Sequence, residues 1–392
     1  MRVVIVGGGF GGIQAARRLA GRSDFAVKLI SDRPYFEYHA ALYRSATGRS
    51  PLEVAIPLAE LFDRVDNVEV VADKIISIDH EQKILVGDSN SSYAYDVVVL
   101  AVGVVTQYFG IKGLDKFTYG IKSVHEALRL KRHLHEELAA KPIGVTNYVV
   151  VGGGPTGVEL AGELVTYLNR IRRRHRLASK PYQVIMVEAA DRLMGMLPKR
   201  FARRVSKRLQ QLGVQLRLGV PVEGETATKL LIPGPDIPSH SVIWTAGTAN
   251  NPLFASHEQL FRFGQAGRVV VNRYLEAQPD LYVIGDCADT KYSGMAQTAL
   301  HQATYVVDNL LRQQRHRHRL AYRPKPPIYA IPVGPHWAAA KWGPVYLYGY
   351  SGWLLRRLAD WRLFMKFLPF GRAWAVWRHE HVLTEACPEC VD

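Results

Sequence analysis

The sequence predicts an α/β fold in which one nucleotide-binding plan is written twice. Three observations carry it. Two glycine clusters, Gly7-Gly8-Gly9-Phe10-Gly11-Gly12 and Gly152-Gly153-Gly154-Pro155-Thr156-Gly157, follow the short apolar runs Val3-Val4-Ile5-Val6 and Tyr148-Val149-Val150-Val151. Each cluster opens a helical pattern, after which a second apolar run ends near a carboxylate, at Asp32 and at Glu188. The two copies stand about 145 residues apart, a spacing that fits a duplicated domain and not a solenoid.

Each element has a physical reason. A short β-branched run reads as a buried parallel strand, and the glycines after it allow a tight turn, close approach of backbone to a pyrophosphate, and close helix packing. The helix that follows offers unpaired N–H groups and a positive dipole end to the phosphates. Gly7, Gly9 and Gly12 are therefore candidates for one dinucleotide, and Gly152, Gly154 and Gly157 for a second. Ala26 to Asp32 and Gln183 to Glu188 supply the second strands, although Ser31 stands between the first of these and its acid. A strand-end carboxylate accepts hydrogen bonds from ribose hydroxyls and repels a 2′-phosphate, so Glu188 favours NADH over NADPH. Solvated strand ends are the lesser alternative for both acids.

Tyr95 to Gly103 closes the first unit as a buried strand ending in small residues, and Ser241 to Gly247 is its counterpart in the second. Gly103 and Gly247 would let backbone approach a ligand closely. Leu281-Tyr282-Val283-Ile284-Gly285-Asp286 then returns the chain to the first domain, with a helical run from Met295 to Leu311 starting beside it. The expected architecture is two Rossmann-like dinucleotide-binding domains, the second inserted into the first, plus an amphipathic C-terminal segment. The expected boundaries are 1–110 and 265–325 for the first domain, 111–264 for the second, and 326–392 for the tail.

At 392 residues the chain has room for this plan, and its composition is that of an ordinary globular protein. The formal charge of +15 is large for an enzyme of small molecules. Its excess gathers at Arg170, Arg172, Arg173, Arg174 and Arg176, at Arg312, Arg315, Arg317 and Arg319, and near the C-terminus. No zinc-finger spacing or RNA-binding aromatic motif accompanies these clusters, so an anionic membrane surface is the expected partner and nucleic acid is not. Plain solubility and attraction of anionic substrates is the competing account. The N-terminus reaches its first strand without an apolar leader, so a cytoplasmic location is the expectation. Cys287, Cys387 and Cys390 are too few for a disulfide framework.

The paired fingerprints, the Ala101-Val102-Gly103 and Thr245-Ala246-Gly247 strand ends, and Ile284-Gly285-Asp286-Cys287-Ala288 resemble the two-dinucleotide-binding-domain flavoproteins. The resemblance implies FAD in the first unit, with Asp286 near its ribityl-phosphate region, and NAD(P)H in the second. No cysteine precedes Cys287, so the redox dithiols of lipoamide dehydrogenase, glutathione reductase and thioredoxin reductase relatives are missing. Sulfide:quinone oxidoreductases use cysteines near the flavin, and Cys287 by itself makes no pair; a small buried residue is the expectation for it. Within the superfamily, Ala296-Gln297-Thr298-Ala299 and Val151 to Leu164 are similar to type II NADH:quinone oxidoreductases. That resemblance implies hydride transfer from NADH to FAD and electron transfer on to a membrane quinone without proton pumping, in the respiratory chain. It places Gln297 beneath the flavin ring and beside the quinone, and His301 stands where the family commonly has glutamine.

The tail gives separate physical evidence. Leu354, Leu358, Trp361, Met365 and Leu368 recur at helical spacing as one apolar stripe, while Arg356, Arg357, Arg362 and Lys366 supply cations elsewhere. This predicts a helix lying in a membrane interface, on the cytoplasmic face, and too charged to span the bilayer. The protein's own core or a homodimer partner is the other surface such a stripe could cover.

The candidate catalytic residues are Glu159, Gln297, His301 and Lys341. Glu159 could position nicotinamide or relay a proton, or serve only the helix dipole. Lys341 could donate to a quinone oxygen or meet lipid phosphate. His301 titrates near neutrality and suits proton delivery, with a structural hydrogen bond as the plainer role. His379, His381, Cys387 and Cys390 contain a zinc-like Cys-x-x-Cys, but the close His pair misses the usual finger spacing, and no metal is assigned. A soluble reductase of an iron–sulfur protein, sulfide:quinone chemistry, and a basic flavoprotein acting mainly by binding a partner are the competing functions.

Overall fold

The computed structural model describes residues 1–139, 145–176 and 181–379. The strands used below are, in chain order, β1 (Arg2–Val6), β2 (Ala26–Ser31), β3 (Val68–Ala72), β4 (Val97–Leu100), β5 (Thr146–Val151) and β6 (Tyr182–Glu188). Then come β7 (Val214–Leu218), β8 (Ser241–Trp244), β9 (Glu276–Gln278), β10 (Leu281–Val283), β11 (Tyr329–Pro332), β12 (Ala338–Trp342) and β13 (Val345–Gly349). The helices used below are α1 (Phe10–Leu19), α2 (Leu42–Ala46), α3 (Val124–Ala139), α4 (Pro155–Arg174), α5 (Lys199–Gln211), α6 (Ala296–Gln314), α7 (Tyr350–Phe367) and α8 (Phe370–His379).

Two compact units are built from interleaved segments. The first takes 1–37, 55–105 and 248–327; the second takes 38–54, 106–247 and 328–392. The segment 38–54, which the sequence alone reads as part of an unbroken first block, thus packs with the second unit. Its charged residues explain why, as shown below.

In the first unit a six-stranded sheet runs β9-β10-β4-β1-β2-β3, parallel except where β9 meets β10. β1 has β2 on one side and β4 on the other, in register at Val6 with Ile30 and with Leu100. In the second unit a parallel sheet runs β7-β6-β5-β8, and β5 pairs at Val151 with Val187 of β6 and Trp244 of β8. The connections diverge at the C-terminal ends of β1 and β5, which is where open α/β sheets hold ligands. The valine and isoleucine runs have both faces covered, as parallel strands require; Val3, Ile5, Val149 and Val150 are fully buried.

The second unit also carries an antiparallel sheet β11-β12-β13, with α7 packed on it and α8 packed on α7. Gly352 permits this approach, since a Cβ there would lie 2.3 Å from the Ala338 carbonyl oxygen. No helix among the described residues is long and apolar enough to cross a membrane.

Candidate functional site

Each glycine turn is shaped by contacts that a side chain would break. Gly7 has φ +112°, and a Cβ on it would come within 2.4 Å of the Ala101 carbonyl oxygen; at Gly12 the Cβ would meet Gly7 O at 1.9 Å. Gly152 repeats the φ of +112°, and a Cβ at Gly157 would fall 2.0 Å from Gly152 O. By contrast, Gly9 and Gly154 face open space, each at the N-cap of its helix with no side chain to satisfy the first-turn N–H groups. First and third glycines therefore serve the fold, while the middle one leaves the backbone at the helix start uncovered, the geometry on which a helix N-terminus can take a phosphate.

Around the first turn, the register sets Ser31 and Asp32 apart. Ile30 pairs with Val6, so Ser31 is the next residue out, just as Glu188 follows the Val187–Val151 pair in the second unit. The Cβ built on Gly8 lies 2.7 Å from Ser31 Oγ, and that on Gly153 lies 2.9 Å from Glu188 Oε2. Ser31 occupies the place of Glu188; Asp32 lies one residue beyond and is exposed. Gly103 (φ +68°) ends its strand facing open space.

Asp286 sits in the turn after β10, its Oδ1 accepting from Gly294 N at 3.2 Å. Gln302, fully buried on α6, accepts from Gly285 N at 2.6 Å and donates to Thr290 Oγ1 at 2.7 Å, so helix and Gly-Asp turn move as one. Gln297 is exposed on the first turn of α6. His301, one turn on, lies tilted against Tyr322 at 5.4 Å between centroids, and its buried Nδ1 has no hydrogen-bond partner among the described residues. Burial and then Lys325 lower its pKa, so the ring is neutral near neutrality. Cys287 is fully buried, donates to Ile284 O at 3.2 Å, and is pushed up to about 12 by burial. It is a packed thiol and not a sulfur-carrying thiolate.

Around the second turn Glu188 is held from both sides. Its Oε2 accepts from Gly153 N, inside the glycine turn, and its Oε1 accepts from Ala190 N at 2.8 Å. Each oxygen keeps a lone pair for a further donor. Thr245 caps the β8 end by donating to Val151 O at 2.7 Å. Gly247 has φ +76°, and the Phe109 ring covers it so closely that a Cβ would lie 2.4 Å from the ring.

Glu159, one turn into α4, is buried in a cluster of charged side chains. Its Oε1 accepts from Arg356 Nη1 at 3.3 Å, while Arg356 Nε donates to Asp360 Oδ1 at 2.9 Å. Arg44 of α2 donates to Asp360 Oδ2 at 3.0 Å and to Glu53, and Tyr38 donates to Asp360 Oδ1. Burial, opposed by Arg356 and Arg44, raises Glu159 to about 7. These contacts tie 38–54 to the second unit. Lys341 is half-buried on β12, with Nζ 6.0 Å above the Tyr346 ring.

The tail departs from expectation in one respect. Leu354, Leu358 and Met365 are exposed, as a docking stripe requires, but Leu368 is buried, and Arg356 and Arg357 turn inward. Their partners, Asp360 for one and the Trp377 ring at 4.0 Å for the other, are what admit them. Ser31, Gln302 and Thr245 escaped the sequence reading because their roles rest on register and on partners far along the chain. The Arg356/Asp360 pair at i, i+4 was the one local signal of the buried cluster. His381, Cys387 and Cys390 lie outside the described residues.

Paired cradles of this kind define a class. The family model for pyridine nucleotide-disulphide oxidoreductases matches residues 1–303, and the chain belongs to that family. Within it, the chain is similar to type II NADH:quinone oxidoreductases. Ndh of Mycobacterium tuberculosis is 29% identical over 384 residues, covering 90% of this chain and 82% of that protein. The Staphylococcus saprophyticus enzyme is 25% identical over 331 residues, covering 79% and 81%. Among solved structures, NDH2 from Plasmodium falciparum in complex with NADH superposes with a TM-score of 0.86 at 16% identity, covering 97% of both chains.

Proposed function

We propose that this chain is an FAD-dependent NADH:quinone oxidoreductase of the type II kind. The observation that carries the reading is the second cradle, where a carboxylate fixed to the glycine turn stands ready for ribose hydroxyls and against a 2′-phosphate. FAD, when bound, would supply the redox chemistry between NADH and the quinone, hydride transfer on one side and electron transfer on the other.

The residues present fit that cofactor. The bare backbone of Gly9 would meet the pyrophosphate, Gly7 and Gly12 keep the turn tight, Ser31 would serve the ribose end with exposed Asp32 beside it contributing little, and Asp286 would serve farther along. Gly103 leaves open space at its strand end, and α6 presents Gln297 and the unpartnered His301 Nδ1 from its first turns. In the second unit, Gly152, Gly154, Gly157 and Glu188 hold NADH, with Gly247 at the neighbouring strand end. Glu159 carries a proton toward the quinone, and Lys341 donates to a quinone oxygen or a lipid phosphate. On this reading, 1–110 and 265–325 serve FAD, 111–264 serves NADH, and 326–392 docks.

The exposed Leu354, Leu358, Met365, Phe370 and Trp374, with Arg362 and Lys366 beside them, suit a membrane interface on the cytoplasmic side. A homodimer is the other occupant that face allows. The deciding experiment is steady-state NADH oxidation by the flavin-loaded protein against a short-chain quinone, an iron–sulfur protein and dioxygen. Quinone turnover should exceed the others by at least about tenfold; faster reduction of the iron–sulfur protein would replace this reading with a soluble reductase.

A further inference from the structure

Arg356 is held by more than Glu159. It donates to Ala40 O at 2.7 Å, to Asp360 Oδ1 at 2.9 Å and to Ala330 O at 3.2 Å, and its contact with Glu159 is the longest of the four at 3.3 Å. Asp360 in turn takes Arg44 and Tyr38. The guanidinium is therefore fixed by Asp360 and two carbonyls, and Glu159 is the partner least compensated for its burial. Burial outweighs the ionic contact at Glu159, whereas both guanidiniums and the Tyr38 phenol keep Asp360 below its ordinary value. The other groups facing Glu159 do not replace Arg356: Arg44 is committed to Glu53 and Asp360, and burial keeps the Tyr43 phenol protonated. Glu163, on the next turn of α4, adds negative charge to the same surroundings.

We propose that Arg356 is a positioning residue for Glu159, holding its Oε1 in place and opposing its protonation, so that α7 belongs to the proton-handling site as well as to the docking face. The proposal rests on reading Glu159 as the proton carrier. One helix then does both jobs: Leu354 and Leu358 point out while Arg356 and Asp360 point in. Whatever shifts α7 against β11 and β12 also shifts the counter-ion of Glu159.

Infrared titration of the carboxyl C=O band in the flavin-loaded full chain tests this, with the band assigned by its loss in Glu159→Gln. Arg356→Gln should move the midpoint up by about one unit or more, as loss of a close opposite charge requires. Arg356→Lys, which reaches one carboxylate and not both, should move it by about half as much. The same displacement should appear in the pH profile of quinone turnover, with melting temperature and flavin absorbance reporting folding. If Arg356→Gln does not fold, the lysine variant decides alone. An unmoved midpoint, beside a pH limb that Glu159→Gln abolishes, rejects the coupling and leaves the proton-carrier reading intact. A midpoint that moves while the limb survives in Glu159→Gln rejects that reading and keeps the coupling.

Discussion

A carboxyl buried without a counter-ion keeps its proton, and Glu225 shows this without the complications of the charged cluster. It is 6% exposed, its Oε2 has no hydrogen-bond partner among the described residues, and burial raises it to about 8. Between the unfolded carboxylate range and that value the folded chain binds a proton the unfolded chain has released, so stability falls as pH rises through the window. Glu225→Gln should therefore leave the melting temperature nearly unchanged at about pH 5 and raise it at about pH 9; equal shifts at both would contradict the assignment. At the first cradle the contrast is between neighbours. Ser31→Ala removes the hydroxyl at the register of Glu188 and should weaken FAD retention by about tenfold, the worth of one good hydrogen bond, whereas exposed Asp32→Ala should change it little. Flavin release measured by fluorescence on dilution separates the two. Sequence pointed to Asp32 because carboxylates are conspicuous; only the pairing of Val6 with Ile30 shows that a hydroxyl, that of Ser31, stands at the register Glu188 has in the second unit.

At the scale of elements, the strands and glycine turns were legible because their signal is local: four apolar β-branched residues, then a turn that no side chain tolerates. Glu188→Ala should accordingly lower kcat/KM for NADH by about tenfold or more and narrow the gap to NADPH, since it removes the anion and frees Gly153 N. A coenzyme ratio that does not move would end the argument for preference. Helix α7 was half legible. Its spacing gave Leu354, Leu358 and Met365 as one face, but periodicity cannot say that the opposite face buries an ion pair, because the partners are Tyr38 and Arg44, more than 300 residues away. Tight seating of α7 is nonetheless testable: Gly352→Ala places a methyl 2.3 Å from Ala338 O and should cost about 1–3 kcal/mol, read as a lower denaturation midpoint with the slope unchanged.

At the scale of the whole molecule the formal charge of +15 has to be divided between packing and docking. Part of it is spent internally. Arg200, Arg204 and Arg208 of α5 lie over Tyr346, Tyr348 and Trp337 at 4.4, 5.8 and 5.8 Å, and Arg319 pairs with Glu276 and covers Tyr274 at 4.1 Å. Arg362 and Lys366 are exposed beside the α7 and α8 stripe. If the stripe meets a membrane as proposed, two contributions to binding should respond differently to salt. The ionic one fades as the Debye length shrinks from about 10 Å at 0.1 M to about 3 Å at 1 M, while the apolar one persists. Co-sedimentation with vesicles containing an anionic phospholipid should weaken with salt and level off above zero. Leu358→Ser with Met365→Ser should lower binding by about tenfold or more at every salt concentration, given roughly 1.5–3 kcal/mol for each large apolar side chain buried. Arg362→Gln with Lys366→Gln should act only at low salt. If the serine pair leaves vesicle binding unchanged but converts a dimer to a monomer in sedimentation velocity, the stripe covers a second copy of the chain and the membrane is met elsewhere.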